Sequence, residues 1–414
     1  MVVGLRHKIL IIAMIKTILT GAALLAMLPL YAATDADSVA TDSIKGFKFT
    51  DVYTVKTTSV KDQNKSGTCW CFAGTSFFED EILRQGGDSL DLSEMFTVWH
   101  TYDEKCERFV RNYGEVNFAP GGSLLDVPYV WKKYGVVPEE VYSGLQYGED
   151  KHVHGELDGM LAAMLKVVVK KPNNKISKAW RTAVRGVLDA YLGKLPETFT
   201  YRGKKYTPQS YAASLPIRID DYVTISSFTH HPFYEEFTLE VPDNWLAGRY
   251  FNVPMDEMKA VVDTAIAKGF PVAWAADVSE GGFKWTKGVA LMPKGKTEGD
   301  MDGTELSRWV TLSDKERQND KYNFEGPVEE ITVTQESRQD MFDSQETTDD
   351  HGMEIVGIAT DQDGNRYYKV KNSWDTNQVY GGYIYVSEPF FLAKTIGIYV
   401  HRDAVPAATA KKMK

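Results

Sequence analysis

The chain has 414 residues, of which 43% are hydrophobic and 25% are charged. This composition is that of a globular protein and excludes a disordered or membrane-spanning body, while the net charge of −10 argues against a broad nucleic-acid-binding surface. Three cysteines are too few for a disulfide scaffold, and the length suits either two domains or one domain with large insertions.

The first 32 residues have the layout of a signal peptide. Basic residues precede an apolar run over residues 18–28, and a proline and small residues follow it. We expect cleavage near Ala32 or Ala33, export to the periplasm or the extracellular space, and no stable membrane span in the mature protein; an uncleaved anchor is the alternative. Residues 33–45 predict a flexible lead-in to a domain over residues 46–414.

A polar loop at residues 62–68 leads into the first strong helical pattern. The apolar positions after Cys69 follow helical spacing, and Gly86 and Gly87 provide a stop signal. The sequence therefore predicts a helix from Cys69 to about Arg84.

The thiol of Cys69 would lie in the first turn of this helix. Unpaired backbone N–H groups and the positive end of the helix dipole favour the thiolate there, with Thr68 or Ser66 as the expected helix cap. Gln63 lies on the incoming loop, where its amide could donate to a developing oxyanion. We therefore expect Cys69 to be a nucleophile and Cys71 to pack inward.

Two amphipathic helical patterns follow, beginning at Leu157 and Trp180. They fall within an insertion expected at about residues 148–245. Because no aromatic residues alternate with the basic positions on their outer faces, the favoured interpretation is a solvated surface rather than a nucleic-acid contact. These basic residues are Lys166, Lys170, Lys171, Lys175, Lys178, Arg181 and Arg185.

His230 and His231 raise the question of a metal site. Adjacent residues on an extended chain face opposite ways, and no Glu or Cys at helical spacing completes a ligand set. We therefore expect no metal and no cofactor.

The C-terminal half contains signals for a sheet. The pattern predicts a helix around residues 255–268, a buried strand over 271–278, a polar surface excursion over 294–350, and strands over 353–359, 367–371 and 382–386, with a hairpin turn at 363–365. His351 opens the first of the last three strands, and its imidazole is suited to accept a thiol proton near neutral pH.

Several segments together resemble one family of enzymes. Residues 66–70, Ser-Gly-Thr-Cys-Trp, are similar to the segment around the nucleophile of papain-like cysteine peptidases, with Ser66 in place of a cysteine. The similarity continues, in family order, through residues 92–99, 121–138, 250–258, 349–353 and 370–374, and resembles the bleomycin hydrolase and aminopeptidase C branch from about residue 51 to 407. Lys371 departs from the pattern, since the relatives usually have glutamate there.

The resemblance implies an α+β papain-like fold with a helical lobe, a β-sheet lobe and a large helical insertion. It also implies that Cys69 and His351 form the catalytic pair, that Asn372 orients the imidazole and that Gln63 supports the oxyanion. Four further residues would bind substrate or shield the site: Gly121, Gly122, Trp70 and Trp374. Relatives of this branch are homohexamers, so the same assembly is expected here, whereas a nucleic-acid partner is not.

The predicted function is hydrolysis of peptide substrates by a cysteine aminopeptidase. In the aminopeptidase relatives a C-terminal tail lies in the cleft and its carboxylate meets the substrate's α-ammonium, so the tail at residues 404–414, and Lys414 in particular, is expected to bind substrate. The alternatives are an exported papain-like endopeptidase and an inactive homologue that binds peptides or nucleic acid.

Overall fold

A computed structural model describes residues 46–296, 301 and 303–413. The predicted signal peptide at 1–32, the lead-in at 33–45 and Lys414 lie outside the described residues. Within the described ranges, no helix combines the length and the apolar character that crossing a bilayer requires.

The helical part of the fold comes mainly from the first half of the chain. The predicted helix from Cys69 to Arg84 is found with these bounds, and the helix predicted around residues 255–268 is also present. The α-helices of the described residues are α1 (Cys69–Arg84), α2 (Glu94–Arg111), α3 (Asp126–Tyr134), α4 (Gly155–Val169), α5 (Ala179–Leu192), α6 (Pro208–Ala212), α7 (Met255–Ala267), α8 (Gly303–Trp309), α9 (Asp314–Lys321), α10 (Gln335–Asp343), α11 (Glu388–Lys394) and α12 (Ala407–Ala410).

The strands form a large mixed sheet and a separate hairpin. They are β1 (Thr50–Thr54), β2 (Phe199–Tyr201), β3 (Lys204–Tyr206), β4 (Tyr222–Ser226), β5 (Glu236–Thr238), β6 (Arg249–Asn252), β7 (Val272–Ala276), β8 (Phe283–Lys284), β9 (Val289–Ala290), β10 (His351–Thr360), β11 (Arg366–Lys371), β12 (Tyr383–Ser387) and β13 (Thr395–His401). The large sheet has the order β5-β6-β4-β13-β7-β10-β11-β12-β9-β8, with β1 paired to β10. The last strand in the chain, β13, thus lies in the middle of the sheet.

Two hydrophobic clusters support two lobes. One joins the buried faces of α1 to α5, and the other joins α7 and α11 to the sheet around β7, β10 and β13. The amino-terminal end of α1 meets β10, because His351 and Gly352 begin that strand beside Cys69 and Trp70. The α+β architecture predicted from the sequence is confirmed.

The helices α4 and α5 carry the apolar faces expected from the pattern. Leu157, Leu161 and Leu165 of α4 and Val184 and Leu188 of α5 are fully buried. The outer, basic face of these two helices is not wholly solvated as the sequence analysis expected, because part of it forms ion pairs. Two of its seven basic residues, Arg181 and Arg185, bind the helical lobe. Both guanidinium groups donate to the carboxylate of Asp103 on α2.

The polar stretch at residues 294–350 is only partly the surface excursion that was predicted. It contains α8 and α9, which bury no side chain, but also α10, which packs into the sheet lobe. Arg338 of α10 is fully buried and donates to the carbonyl oxygens of Ser227, Leu392 and Thr395. The prediction failed here because a buried arginine satisfied by backbone carbonyls looks, in the sequence, like a surface arginine.

Candidate active site

A cavity of about 320 Å³ lies between the two lobes. Its walls include Gln63, Cys69 and Trp70 from the loop and the start of α1, and His351 and Trp374 from the sheet lobe. The chain therefore brings together, from distant segments, the thiol and the imidazole that the sequence analysis selected.

Cys69 is the first residue of α1 and is partly exposed, whereas Cys71 is fully buried. The expected side-chain cap is absent. The Thr68 hydroxyl lies 2.6 Å from the Ser66 hydroxyl and makes no capping hydrogen bond, so the two hydroxyls partner each other instead of the helix. The first turn is closed by its own backbone, because the Cys71 N–H donates to the Thr68 carbonyl at 2.9 Å.

His351 is held in one orientation by Asn372. The imidazole Nε2 and the Asn372 Oδ1 are 2.8 Å apart, and the same Oδ1 accepts from the backbone N–H of Ser373 at 2.8 Å. Because this oxygen can only accept, the imidazole hydrogen is on Nε2 and the lone pair is on Nδ1. The Trp374 ring lies 4.6 Å from the imidazole, centroid to centroid, and covers this contact.

Gln63 is anchored to the segment that carries Asn372. Its backbone N–H donates to the Ser373 carbonyl at 2.8 Å, and its side-chain oxygen accepts from the Ser373 hydroxyl at 2.7 Å. The amide oxygen is therefore occupied. In the described part of the chain its N–H₂ group has no protein partner, which leaves this donor available at the cavity wall.

Burial disfavours both the thiolate form of Cys69 and the imidazolium form of His351. It raises the pKa of the Cys69 thiol to about 12, with the Gly352 N–H opposing this rise and Asp349 adding to it. Burial also lowers the pKa of His351 to about 4, and the hydrogen bond that the imidazole donates to Asn372 opposes this fall. Each group alone favours its neutral form, so the thiolate expected from the sequence depends on the attraction between the thiolate and the imidazolium.

This dependence gives a first prediction. In His351→Ala, alkylation of Cys69 by iodoacetamide should require strongly alkaline pH, because the variant lacks the base and counter-ion while burial still raises the thiol pKa. The wild type should react near neutral pH. The rate of modification at Cys69, followed by peptide mapping against pH, measures this. His401→Ala, which changes a histidine outside the cavity, serves as the control, and equal pH profiles for the two variants would contradict the prediction.

Gly121 and Gly122 form the opposite wall, where the sequence analysis expected substrate to bind. The buried ammonium of Lys105 donates to the carbonyl oxygen of Gly121, and Trp70 Nε1 donates to that of Pro120 at 3.0 Å. A Cβ atom on Gly121 would lie 2.0 Å from the carboxylate of Asp243. The Asp243 carboxylate therefore occupies the space that a side chain on residue 121 would need.

Three acidic residues of the cavity were not selected from the sequence. Asp243 lies beside Gly121, and Asp349 and Asp350 directly precede His351. Asp350-His351 was visible as a dipeptide, but no local signal shows that Asp349 and Asp243, from different loops, share one cavity.

The reason given for rejecting a metal at His230 and His231 is wrong. The two residues lie in a turn, and both imidazoles contact one carboxylate, that of Glu240, at 3.2 and 2.6 Å. The Gln339 amide accepts from Thr229 and donates to His230 Nδ1, so the hydrogen of His230 lies on Nε2, the atom that faces Glu240. A metal would need the lone pair of that atom, so the network favours a hydrogen-bonded cluster.

The tail does not follow the predicted course as far as it is described. Its helix α12 lies on α7, where Thr409 and Lys412 bind Glu257 at 2.8 and 2.7 Å. Met413 lines a separate groove beside Tyr234 and not the cavity of Cys69. The described tail is therefore held away from the thiol by its own ion pair, and the expected substrate contact of Lys414 falls outside the described residues.

Comparison with known proteins gives one consistent family. The model of the Peptidase C1-like family matches residues 31–293 and 301–414. Aminopeptidase C of Streptococcus thermophilus is 22% identical over 394 residues, which cover 84% of this chain and 81% of that protein. Human bleomycin hydrolase is 20% identical over 398 residues, with the same shares covered. The crystal structure of PepW from Lactobacillus rhamnosis superposes with a TM-score of 0.64 at 21% identity, over 88% of this chain and 84% of that one, which shows the fold.

Proposed function

The chain belongs to the Peptidase C1-like family and is a cysteine peptidase, and from this premise we propose that it is an aminopeptidase that acts through Cys69, His351, Asn372 and Gln63. The observation that carries the proposal is the shared cavity. It holds a partly exposed cysteine residue at a helix start and an imidazole whose tautomer leaves Nδ1 free to accept a proton.

The proposed reaction is acyl transfer in two steps. The Cys69 sulfur attacks the peptide carbonyl carbon while His351 Nδ1 takes the thiol proton, and the oxyanion receives hydrogen bonds from the Gln63 amide and the Cys69 backbone N–H. The imidazolium then protonates the leaving amine. Water, deprotonated by the same imidazole, attacks the thioester and releases the amino acid and the free thiol.

The preference for free amino termini rests on the relatives, five of which carry the name Aminopeptidase C at 21% to 24% identity. The cavity is also limited in volume at about 320 Å³, which suits a short segment of substrate on one side of the thiol. Endopeptidase activity is the alternative, and the position of the tail away from the thiol is the observation that favours it.

Two substrates separate these functions. We expect leucyl aminomethylcoumarin to be hydrolysed with a kcat/KM about tenfold or more above that of its N-acetyl derivative, which corresponds to about 1.4 kcal/mol of recognition of the free amine. Equal or higher rates on the N-acetyl compound, or on internal bonds of a longer peptide, would favour the endopeptidase.

A shortened chain tests the tail in the same assay. Deletion of residues 411–414 should leave the ratio of the two rates unchanged, because Lys412 is bound to Glu257 and Met413 lies in another groove. If the deletion lowers the ratio of the rate on the free amine to the rate on the N-acetyl derivative, the tail contributes to substrate binding in the cleft. Lys412→Gln in the full-length chain is the control, since it loosens the ion pair without removing residues.

Export and assembly complete the proposal. The signal-peptide layout of residues 1–32 supports export to the periplasm or the extracellular space, and the resemblance to homohexameric relatives supports the same assembly. Amino-terminal sequencing of protein from its native host and sedimentation of the purified chain test these two points.

A further inference from the structure

We propose that Asp349 and Asp243 hold the α-ammonium group of the substrate beside the thiol, and so select free amino termini. The inference rests on the proposed function, because it names the residues that read the substrate of that same site. Both side chains lie in the wall of the cavity that contains Cys69 and His351.

Asp349 is placed by its neighbours in the chain. Its predecessor, Thr348, donates its backbone N–H to the buried carboxylate of Asp277 at 3.0 Å. Its successor, Asp350, accepts from the Val278 backbone N–H at 2.9 Å. The loop is thus fixed to the end of β7 on both sides of Asp349, while Asp349 itself makes no hydrogen bond or ion pair with the described part of the protein.

Asp243 is placed in a similar way from the other lobe. Asn244 bonds the backbone of Leu239 and Gly248 and closes the loop, and Trp245 donates to the buried Asp126 at 2.7 Å. The Asp243 carboxylate lies beside Gly121, and both residues line the cavity. Its hydrogen bond from Asn117 is long, at 3.4 Å, so the carboxylate is weakly satisfied.

The two carboxylates repel each other and lack a full counter-ion. Burial raises the pKa of Asp349 to about 8, and the charges of Asp243, Asp350 and Asp126 add to the rise. Burial also raises the pKa of Asp243, and Lys105 opposes this without forming an ion pair to it among the described residues. A substrate cation beside the pair would lower these pKa values, so that Asp349 binds the ammonium in its ionised form and the repulsion is offset.

The position of the pair favours an α-ammonium over a basic side chain. Both carboxylates act on the Cys69 sulfur, since each raises the pKa of that thiol. A cation bound by them would share the cavity of about 320 Å³ with the thiol, and the α-amino nitrogen is separated from the attacked carbonyl carbon by a single atom. A bound ammonium would also offset the two negative charges that oppose the thiolate, so binding and activation of the thiol are coupled.

Single substitutions test the assignment. Asp349→Asn and Asp243→Asn should each lower kcat/KM for leucyl aminomethylcoumarin by about 30-fold, chiefly through KM, because a buried charge contact is lost. Hydrolysis of the N-acetyl derivative should not fall. Asp349→Glu should restore part of the loss, which a merely structural role would not produce. Asp340→Asn, an exposed carboxylate on α10, is the control for the change in net charge.

Two further substrates test whether the bound cation is an α-ammonium group or a basic side chain: N-acetyl-lysyl-leucyl and N-acetyl-norleucyl-leucyl aminomethylcoumarin. We expect similar rates on these two substrates, and similar effects of the aspartate substitutions on both. If the lysyl substrate is preferred and Asp349→Asn removes that preference, the pair reads a side chain and the α-ammonium assignment is overturned. If the wild type prefers the free amine and both asparagine variants keep that preference, the inference fails while the aminopeptidase remains. If the wild type prefers the N-acetyl substrate, both the proposed function and the inference fail.

Discussion

Replacement of Cys69 by alanine is expected to abolish peptide hydrolysis and to leave the fold intact. The substitution removes the only atom proposed to attack the carbonyl, so kcat should fall by roughly 10⁴-fold or more. The cost in stability should be small, about 1 kcal/mol or less, because the side chain is partly exposed at the start of α1. Hydrolysis of leucyl aminomethylcoumarin and circular dichroism of the same preparation measure the two effects.

Cys71→Ala is the matched control, two residues along the same helix. The Cys71 thiol donates to the Glu94 carbonyl at 3.2 Å inside the helical lobe, so its loss should cost about 1 kcal/mol of stability and little activity. Loss of turnover in Cys71→Ala with retention in Cys69→Ala would refute the assignment of the nucleophile.

The second large effect is expected at Lys371, where replacement by methionine should lower the free energy of unfolding by about 3–5 kcal/mol. The ammonium lies 3.3 Å from the Asp80 carboxylate and 3.9 Å from that of Glu354, and all three side chains are buried. Burial raises the pKa of Asp80 and of Glu354, and Lys371 opposes both shifts. Removal of the lysine leaves two buried carboxylates without their cation.

The pH dependence of this loss has a definite sign. Carboxyl groups with raised pKa values bind protons more readily in the folded state, so folding stability falls as pH rises through their pKa values. The loss in Lys371→Met should therefore become smaller as the pH is lowered, because the two carboxyl groups then bind protons in the folded state. Lys369→Met, on the same strand as Lys371, is the control in urea unfolding, because the Lys369 ammonium pairs with the more exposed Asp51 of β1 and should contribute at most about 1 kcal/mol. Equal losses in the two variants would contradict the prediction.

Local sequence signals predicted the parts of the site that local structure determines. The bounds of α1 follow from apolar spacing and a glycine stop, and the strand that begins at His351 follows from its own pattern. The placement of Asn372 beside His351 is a consequence of pairing between β10 and β11, whose hairpin turn was also visible in the sequence.

Features that depend on contacts between distant segments were not predictable in this way. Asp243 and Asp349 share a cavity because a loop of the insertion and a loop before β10 both border it. Thr68 is a residue type that commonly caps helices, yet its hydroxyl forms a hydrogen bond with the Ser66 hydroxyl and does not cap α1. His230 and His231 converge on Glu240 because a turn, rather than the extended chain assumed, carries them.

Because β13 is both late in the chain and central in the sheet, we expect the sheet to be completed only when synthesis is nearly finished. This strand pairs with β4 on one side and with β7 on the other, so a ribosome-bound or truncated fragment that ends before Thr395 leaves a gap through the middle of the sheet. The β7–β10 edge that carries His351 then lacks one of its flanking strands, and its buried backbone groups go unpaired. A chain truncated before Thr395 is therefore expected to lack peptidase activity.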